Sequence, residues 1–292
     1  MATFKDHALC LRLMDWSDTS QIAVLFTEGH GKLSAVAKGA KRQQPSTLAK
    51  FSGGLELLTA GEAVWITRRN SEMVLLTDWD LTDPHWHLRR NLRAHQLALY
   101  AADLLHHLVT DHDPHPGAYR ALLAFLSALR LDPPARVETA PSAPGSAGGV
   151  APDEPGQPPL SDSSSPLSFH ITNPEHHFQS ALLHFQWDVI RDMGYEPIVD
   201  RDAETAGPLP DADAPLAFSP TAGGVVADTH APHRWRVRPA TIQLLQHIAA
   251  GESTDSADTE SLTRANRLLC VYLRALLDKQ LPTMQAVLNG NE

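Results

Sequence analysis

The chain has 292 residues, 42% of them hydrophobic, only two cysteines, and a formal net charge of -10 at neutral pH. That length and apolar content suit one large domain or two ordinary ones, and Cys10 and Cys270 frame no disulfide scaffold. No apolar run approaches the ~18 residues of a membrane helix, and the N-terminus has no apolar signal segment, so a cytoplasmic protein is expected.

The charge is uneven. Residues 1–77 hold nine Lys or Arg against seven Asp or Glu, a balance of +2, while the remaining 15 and 27 leave -12. Local potential rather than net charge steers a polyanion, so the N-terminal segment is the candidate for one.

Short alternating runs fill the first 80 residues: Ala8 to Met14, Gln21 to Thr27, Leu33 to Lys38, Leu55 to Leu58, Val64 to Thr67 and Met73 to Thr77. Turn residues at Ser17-Asp18, Gly29 to Gly31, Gly53-Gly54, Gly61 and Asn70-Ser71 separate them. Five or six such strands predict a small closed β-barrel.

The stretch Gly29 to Arg42 is the most informative. A Gly-x-Gly turn feeds a strand with Leu33, Ala35 and Ala37 on one face and Ser34, Val36 and Lys38 on the other. Lys32, Lys38, Lys41 and Arg42 cluster around that strand, and Arg68 and Arg69 extend the charge from a later one. Barrels of this size offer such cations to a phosphate backbone. Trp16, Phe26, Phe51 and Trp65 are the aromatic residues available for stacking, with Phe26 better placed in the barrel core. A nucleotide-binding loop is excluded at Gly31-Lys32. The glycine it needs five residues upstream is Phe26, and the hydroxyl residue it needs next is Leu33.

After residue 82 the period changes. Apolar residues and histidines recur at three and four residues from His87 to Val109, and a second helix is expected from Pro116 to Leu131. Residues 132–167 hold nine Pro with many Ser, Gly and Ala, and are expected to be a disordered insertion. A helix is expected to restart at Asn173-Pro174, with Asn173 as cap, and to stop at Gly194. Residues 195–238 read as irregular. Pro239 to Ala250 and Ser261 to Lys279 read as two further amphipathic helices, joined by an acidic exposed loop.

At this point the chain resembles the bacterial RecO family of DNA repair and recombination mediators. The resemblance rests on Ala8-Leu9-Cys10-Leu11-Arg12, Asp18-Thr19-Ser20, Leu25-Phe26-Thr27, and above all His30-Gly31-Lys32-Leu33 through Ala37-Lys38-Gly39-Ala40-Lys41-Arg42. Leu55-Glu56-Leu57, Gly194-Tyr195-Glu196-Pro197, Phe218-Ser219-Pro220 and Gly223-Gly224-Val225 extend it. It implies an α+β chain: an N-terminal OB-fold barrel (1–82), then a mainly α-helical C-terminal domain (83–131 and 168–292) interrupted by the 132–167 insertion. It also implies binding of single- and double-stranded DNA, strand annealing, and help in loading recombinase onto strands coated by single-strand-binding protein. RecR and the acidic, apolar tail of the coating protein are the implied partners, and a nucleoid-associated location follows.

Many members of that family carry two Cys-x-x-Cys pairs as a zinc site. The corresponding positions in the 195–238 segment are Asp202 and Thr205, then Ala227 and His230. Ala227 cannot bind and Thr205 is a poor ligand, so no metal or other cofactor is expected. The sixteen histidines form no His-Glu-x-x-His pattern, and no nucleophile elbow or two-metal carboxylate cluster is present, so no enzyme is expected. For an acidic partner tail, Arg264, Arg267 and Arg274 can share a face of the last long helix, near Leu268 and Leu276. A competing reading is a protein–protein adaptor of the repair machinery with little DNA affinity, as the acidic bulk suggests.

Overall fold

Six strands wind into a barrel at the N-terminus: β1 (Thr3–Asp15), β2 (Gln21–Thr27), β3 (Gly31–Ala37), the two-residue β4 (Phe51–Ser52), β5 (Ala60–Ile66) and β6 (Val74–Asp83). The computed structural model describes residues 2–41, 50–52, 54–69, 71–131, 173–210 and 215–288. The expected 132–167 insertion and Arg42 lie outside them. The sheet order is β3-β2-β1-β5-β6-β4, and β3 also pairs in parallel with β6 from Ala35↔Val74 to Ala37↔Leu76. This is the ring of an OB-like fold, joined over only three residues and hence partly open.

Period-two alternation in β1 serves two cores. Ala8 and Cys10 point into the barrel with Leu25, Leu33, Trp65 and Trp79, while Leu9 and Leu11 point outward into the helical core with Val24 and Phe26. A strand covered on both faces reads as a continuous apolar run, and Ala8 to Leu11 are all buried. In β3 the expected alternation holds: Leu33, Ala35 and Ala37 are buried, Ser34 and Val36 half-buried.

Two expectations in the barrel need correction. Leu55 to Leu58 is not a strand. It is a turn whose Leu55 and Leu58 side chains anchor it, Leu58 with φ +64°. Gly61 is not a turn but lies within β5, where an added Cβ would sit 2.6 Å from the Trp79 ring.

The helical part comprises α1 (Leu92–Leu108), α2 (Pro116–Ala128), α3 (Pro174–Asp192), α4 (Pro239–Ala249), α5 (Thr259–Leu277) and the short α6 (Gln285–Leu288). The helix expected from His87 is broken. Trp86–Arg89 form a 3-10 turn, and α1 begins afresh at Asn91, whose side chain accepts from the Ala94 N–H. Leu92, expected in the apolar stripe, is exposed, and the buried face runs through Ala94, Leu97, Ala101 and Leu104. Asn173 caps α3 as expected, accepting from the His176 N–H, with Pro174 at the first turn.

A buried polar chain joins three helices. Tyr100 of α1 donates to Gln186 of α3 (2.8 Å), Gln186 to Asn266 of α5 (2.7 Å), and Asn266 back to Gln179 of α3 (2.7 Å). Fully paired, such a chain fixes which helix faces meet, because a slip would leave buried polar groups unsatisfied. The 195–238 segment is more regular than expected. It holds a three-stranded antiparallel sheet of β7 (Leu216–Ser219), β8 (Gly224–Ala227) and β9 (Trp235–Val237), in the order β8-β7-β9.

Candidate nucleic-acid interface

The β1–β2 hairpin turns through Ser17 to Ser20, closed by Trp16 N–H to the Ser20 carbonyl (3.0 Å). The turn after β3, Lys38 to Lys41, docks on it. The Lys41 N–H donates to the Thr19 carbonyl (3.2 Å), and the Gly39 N–H, at φ +76°, donates to the Ser20 hydroxyl (3.3 Å). One surface thus combines Lys38, Lys41 and the Trp16 indole, which is 62% exposed. Lys38 is exposed with no ion pair among the described residues, whereas Lys41 pairs with Asp15 at 2.5 Å. That ammonium holds the Asp15 carboxyl below its usual range. Phe26, Phe51 and Trp65 are buried in the two cores, which leaves Trp16 as the exposed aromatic of the four.

Lys32 departs from expectation. Its side chain lies on the outer face of β3 but is covered by the C-terminal turn of α1. The ammonium donates to the His106 carbonyl (2.6 Å) and pairs with Asp111 (3.1 Å). Carbonyls of a last helical turn have no intrahelical partner and sit at the negative end of the helix dipole, so a lysine there is held firmly. Lys32 is therefore a pin between barrel and helices rather than an exposed surface cation. Gly31 makes this approach possible: it has φ +69°, and an added Cβ would collide with the backbone of Asp113.

Beside the pin, further basic side chains meet. His106 lies 3.4 Å from the Arg12 guanidinium, and burial, reinforced by Lys32, His107 and Arg12, pushes its pKa down to about 4. Arg12, exposed on β1, belongs to this cationic region although residue patterning gave it no role.

Arg68 and Arg69 are exposed in the turn between β5 and β6. Arg68 lines an open groove of about 420 Å³ with Ser71, Glu72, Asp111 and His112. A smaller recess of about 200 Å³, sharing Thr67 and His112, is walled by Phe4, His30 and Trp65. Phe4 stacks on Trp65 at 5.9 Å, and His30 is fixed by Asp6 at 2.9 Å. This groove adjoins the start of β3, while Lys38 follows its end. At ~3.3 Å per residue, roughly 20 Å of strand separates the two cationic spots.

Several histidines pin the fold. His85, His87, His176 and His177 hydrogen-bond the carbonyls of Leu58, Leu126, Ala257 and Ala128 at 2.6–2.8 Å. Among the described residues no three His, Cys, Asp or Glu gather as a metal site would require. Burial pushes the Cys10 thiol up to about 12 and that of Cys270 up to about 11, so both stay protonated at neutral pH.

The positions that would carry zinc do not fit it. Ala227 has no donor, and the Thr205 hydroxyl faces the Gly207 N–H at 3.3 Å. Both oxygens of Asp202 already accept backbone N–H bonds, and the His230 ring is mostly exposed beside Arg236. Of the α5 arginines, Arg264 is tied to Glu260 and Ser261 of its own helix, Arg267 is exposed, and Arg274 is half-buried.

Residues 1–85 match the family described as recombination protein O N terminal. The chain is 34% identical to a DNA repair protein RecO of Anaeromyxobacter sp. (strain K) over 46% of its own length and 51% of the relative's. It is 31% identical to that of Myxococcus xanthus (strain DK1622) over 44% and 51%. In these matches it spans about half the length of the relatives. With the RecO of Rhodopirellula baltica the match is 26% identical but covers 87% of this chain and 79% of the relative. The first 85 residues are therefore similar to the recombination protein O N-terminal family, and the chain over most of its length is similar to a RecO protein.

Proposed function

We propose that this chain is a DNA repair protein of recombinational repair. On this reading it binds single- and double-stranded DNA without cleaving it, anneals complementary strands, and helps load recombinase onto strands coated by single-strand-binding protein. The similarity to RecO proteins supports the class of function. The observation that carries the mechanism is that the Lys38 to Lys41 turn docks on the β1–β2 hairpin, whose own turn carries the exposed Trp16. Annealing makes and breaks no covalent bond. It needs cations that hold backbones while base edges stay free, and an aromatic face that tolerates any base. Arg68 and Arg69 extend the phosphate path to the far end of β3. RecR and the acidic tail of single-strand-binding protein are the partners of this reading, with Arg267 the most accessible of the three α5 arginines.

A second reading, a protein–protein adaptor, draws support from two observations. Lys32 is consumed internally and Lys41 is neutralised by Asp15, which thins the positive surface of an acidic chain. Annealing of two labelled complementary oligonucleotides separates the readings. Base–aromatic stacking is worth about 1–3 kcal/mol per base, so Trp16→Ala slows annealing by about fivefold or more while thermal stability stays unchanged. Annealing no faster than the protein-free rate supports the adaptor.

A further inference from the structure

We propose that the 198–238 knuckle of this chain is a metal-free clamp, in which the Asp202 carboxylate and the Arg234 guanidinium tie together the two turns that a metal would otherwise join. This inference is independent of the DNA reading.

Asp202 is 6% exposed, and its two oxygens face different turns. Oδ1 accepts from the N–H groups of Glu204 (3.0 Å) and Thr205 (2.8 Å), closing its own turn. Oδ2 accepts from the Ala227 N–H (3.0 Å) at the end of β8, 25 residues away in sequence. Arg234 complements it on the same residue: one guanidinium nitrogen donates to the Ala227 carbonyl (2.9 Å), and another grips both Glu204 oxygens at 2.9 and 2.7 Å. Both polar groups of the Ala227 backbone are thus held by ionised side chains. The ring then closes through Glu204, two residues from Asp202.

Backbone bonds knit the same turns more closely. The Ile198 N–H donates to Gly223, Val225 to Ile198, and Ala203 to Val225, at 2.8–2.9 Å. Gly224 must lack a side chain, since an added Cβ would meet the Ile198 carbonyl and the Ala203 methyl. Arg236 and Asp228, paired at 2.9 Å, brace the outer side.

The chemistry suits a clamp and excludes a coordination site. A carboxylate whose oxygens accept three N–H bonds has three of its roughly four lone-pair sites committed to donors. Charge-assisted bonds of this kind are roughly twice as strong as neutral ones, and the Arg–carboxylate contact with two oxygens adds direction. Zinc would have to compete with those N–H donors for the Asp202 carboxylate and recruit ligands from Ala227 and Thr205, which offer none of use. One buried acid and one arginine therefore do for this segment what four ligands and an ion do elsewhere.

The test uses the full-length protein in three measurements. Elemental analysis after purification without chelator is expected to find well under 0.1 zinc per chain, and excess EDTA is expected to leave the melting temperature unchanged. In limited proteolysis, Asp202→Asn, which loses a charged acceptor but keeps the shape, and Arg234→Gln are each expected to be cut within residues 203–233 at least fivefold faster than wild type. Asp200→Asn, which removes an exposed ion pair outside the clamp, should match wild type. Far-ultraviolet circular dichroism separates local loosening from global unfolding. Were Asp202→Asn to unfold globally, Arg234→Gln would carry the same test. About one zinc per chain with an EDTA-sensitive melt overturns the proposal. So does wild-type resistance of both the Asp202 and Arg234 variants.

Discussion

At the scale of single residues, Lys32 is the instructive case. It shares the parity of Ser34, Val36 and Lys38 and does lie on the outer face of β3, as alternation requires. What alternation could not reveal is that the end of α1, 74 residues on, covers that face at the start of the strand, where Lys32 stands. Lys32 and Lys38 are thus equivalent in pattern and opposite in surroundings, the first buried and paired, the second exposed. Lys32→Met keeps the aliphatic stem and removes the ammonium from the His106 carbonyl. It should lower stability by about 1–3 kcal/mol in urea denaturation, while the salt dependence of DNA binding is unchanged. A shallower salt slope with unchanged stability would return Lys32 to the phosphate path. The Asp202 position shows the same limit from the other side. The sequence told that a Cys-based site was gone, but not that the substituted acid would find the Ala227 N–H.

At the scale of elements, the strands and helices with strong periodicity lie close to where they were expected. Those with short or interrupted patterns do not. β2 has the expected bounds, and α5 is two residues off at each end. Leu55 and Leu58 look like strand residues because a turn that drops two apolar anchors produces the same short pattern. The break before α1 was hidden because Leu88 and Leu92, four residues apart, keep a helical period across Asn91. The end of α1 also carries a pH dependence. His106 is held low, to about 4, mainly by burial and also by Lys32, His107 and Arg12, with Asp103 opposing. His107 is lowered by burial and by Lys279. A histidine whose folded pKa lies below its unfolded value of about 6.5 binds fewer protons when folded. It therefore contributes stability above pH ~6.5 that is lost as pH falls toward 4. The depressed carboxylates Asp202, Asp228 and Asp258 act in the same direction but at lower pH, below about 4. The melting temperature should fall between pH 6.5 and 4.5, and His106→Gln should flatten that slope. An identical slope in the variant would count against a neutral His106.

At the scale of the whole molecule, the barrel was legible because alternation, turn residues and a dense run of specific residues from His30 to Lys41 agreed with one another. The small sheet at 216–237 was not, since strands of three or four residues fall below what a pattern can register. A chain of net charge -10 can still engage a polyanion through one positive surface, and the central claim is that the Lys38–Lys41 turn is that surface. The most direct test is fluorescence anisotropy of labelled single-stranded DNA across a salt series, for wild type and a Lys38→Ala/Lys41→Ala double variant. Each phosphate contact contributes about 0.7 to the logarithmic salt slope for a single strand. The account predicts steep salt dependence in wild type and a slope shallower by about 0.7–1.4 in the variant. Wild type that fails to bind at low salt, or a variant with the wild-type slope, would contradict it.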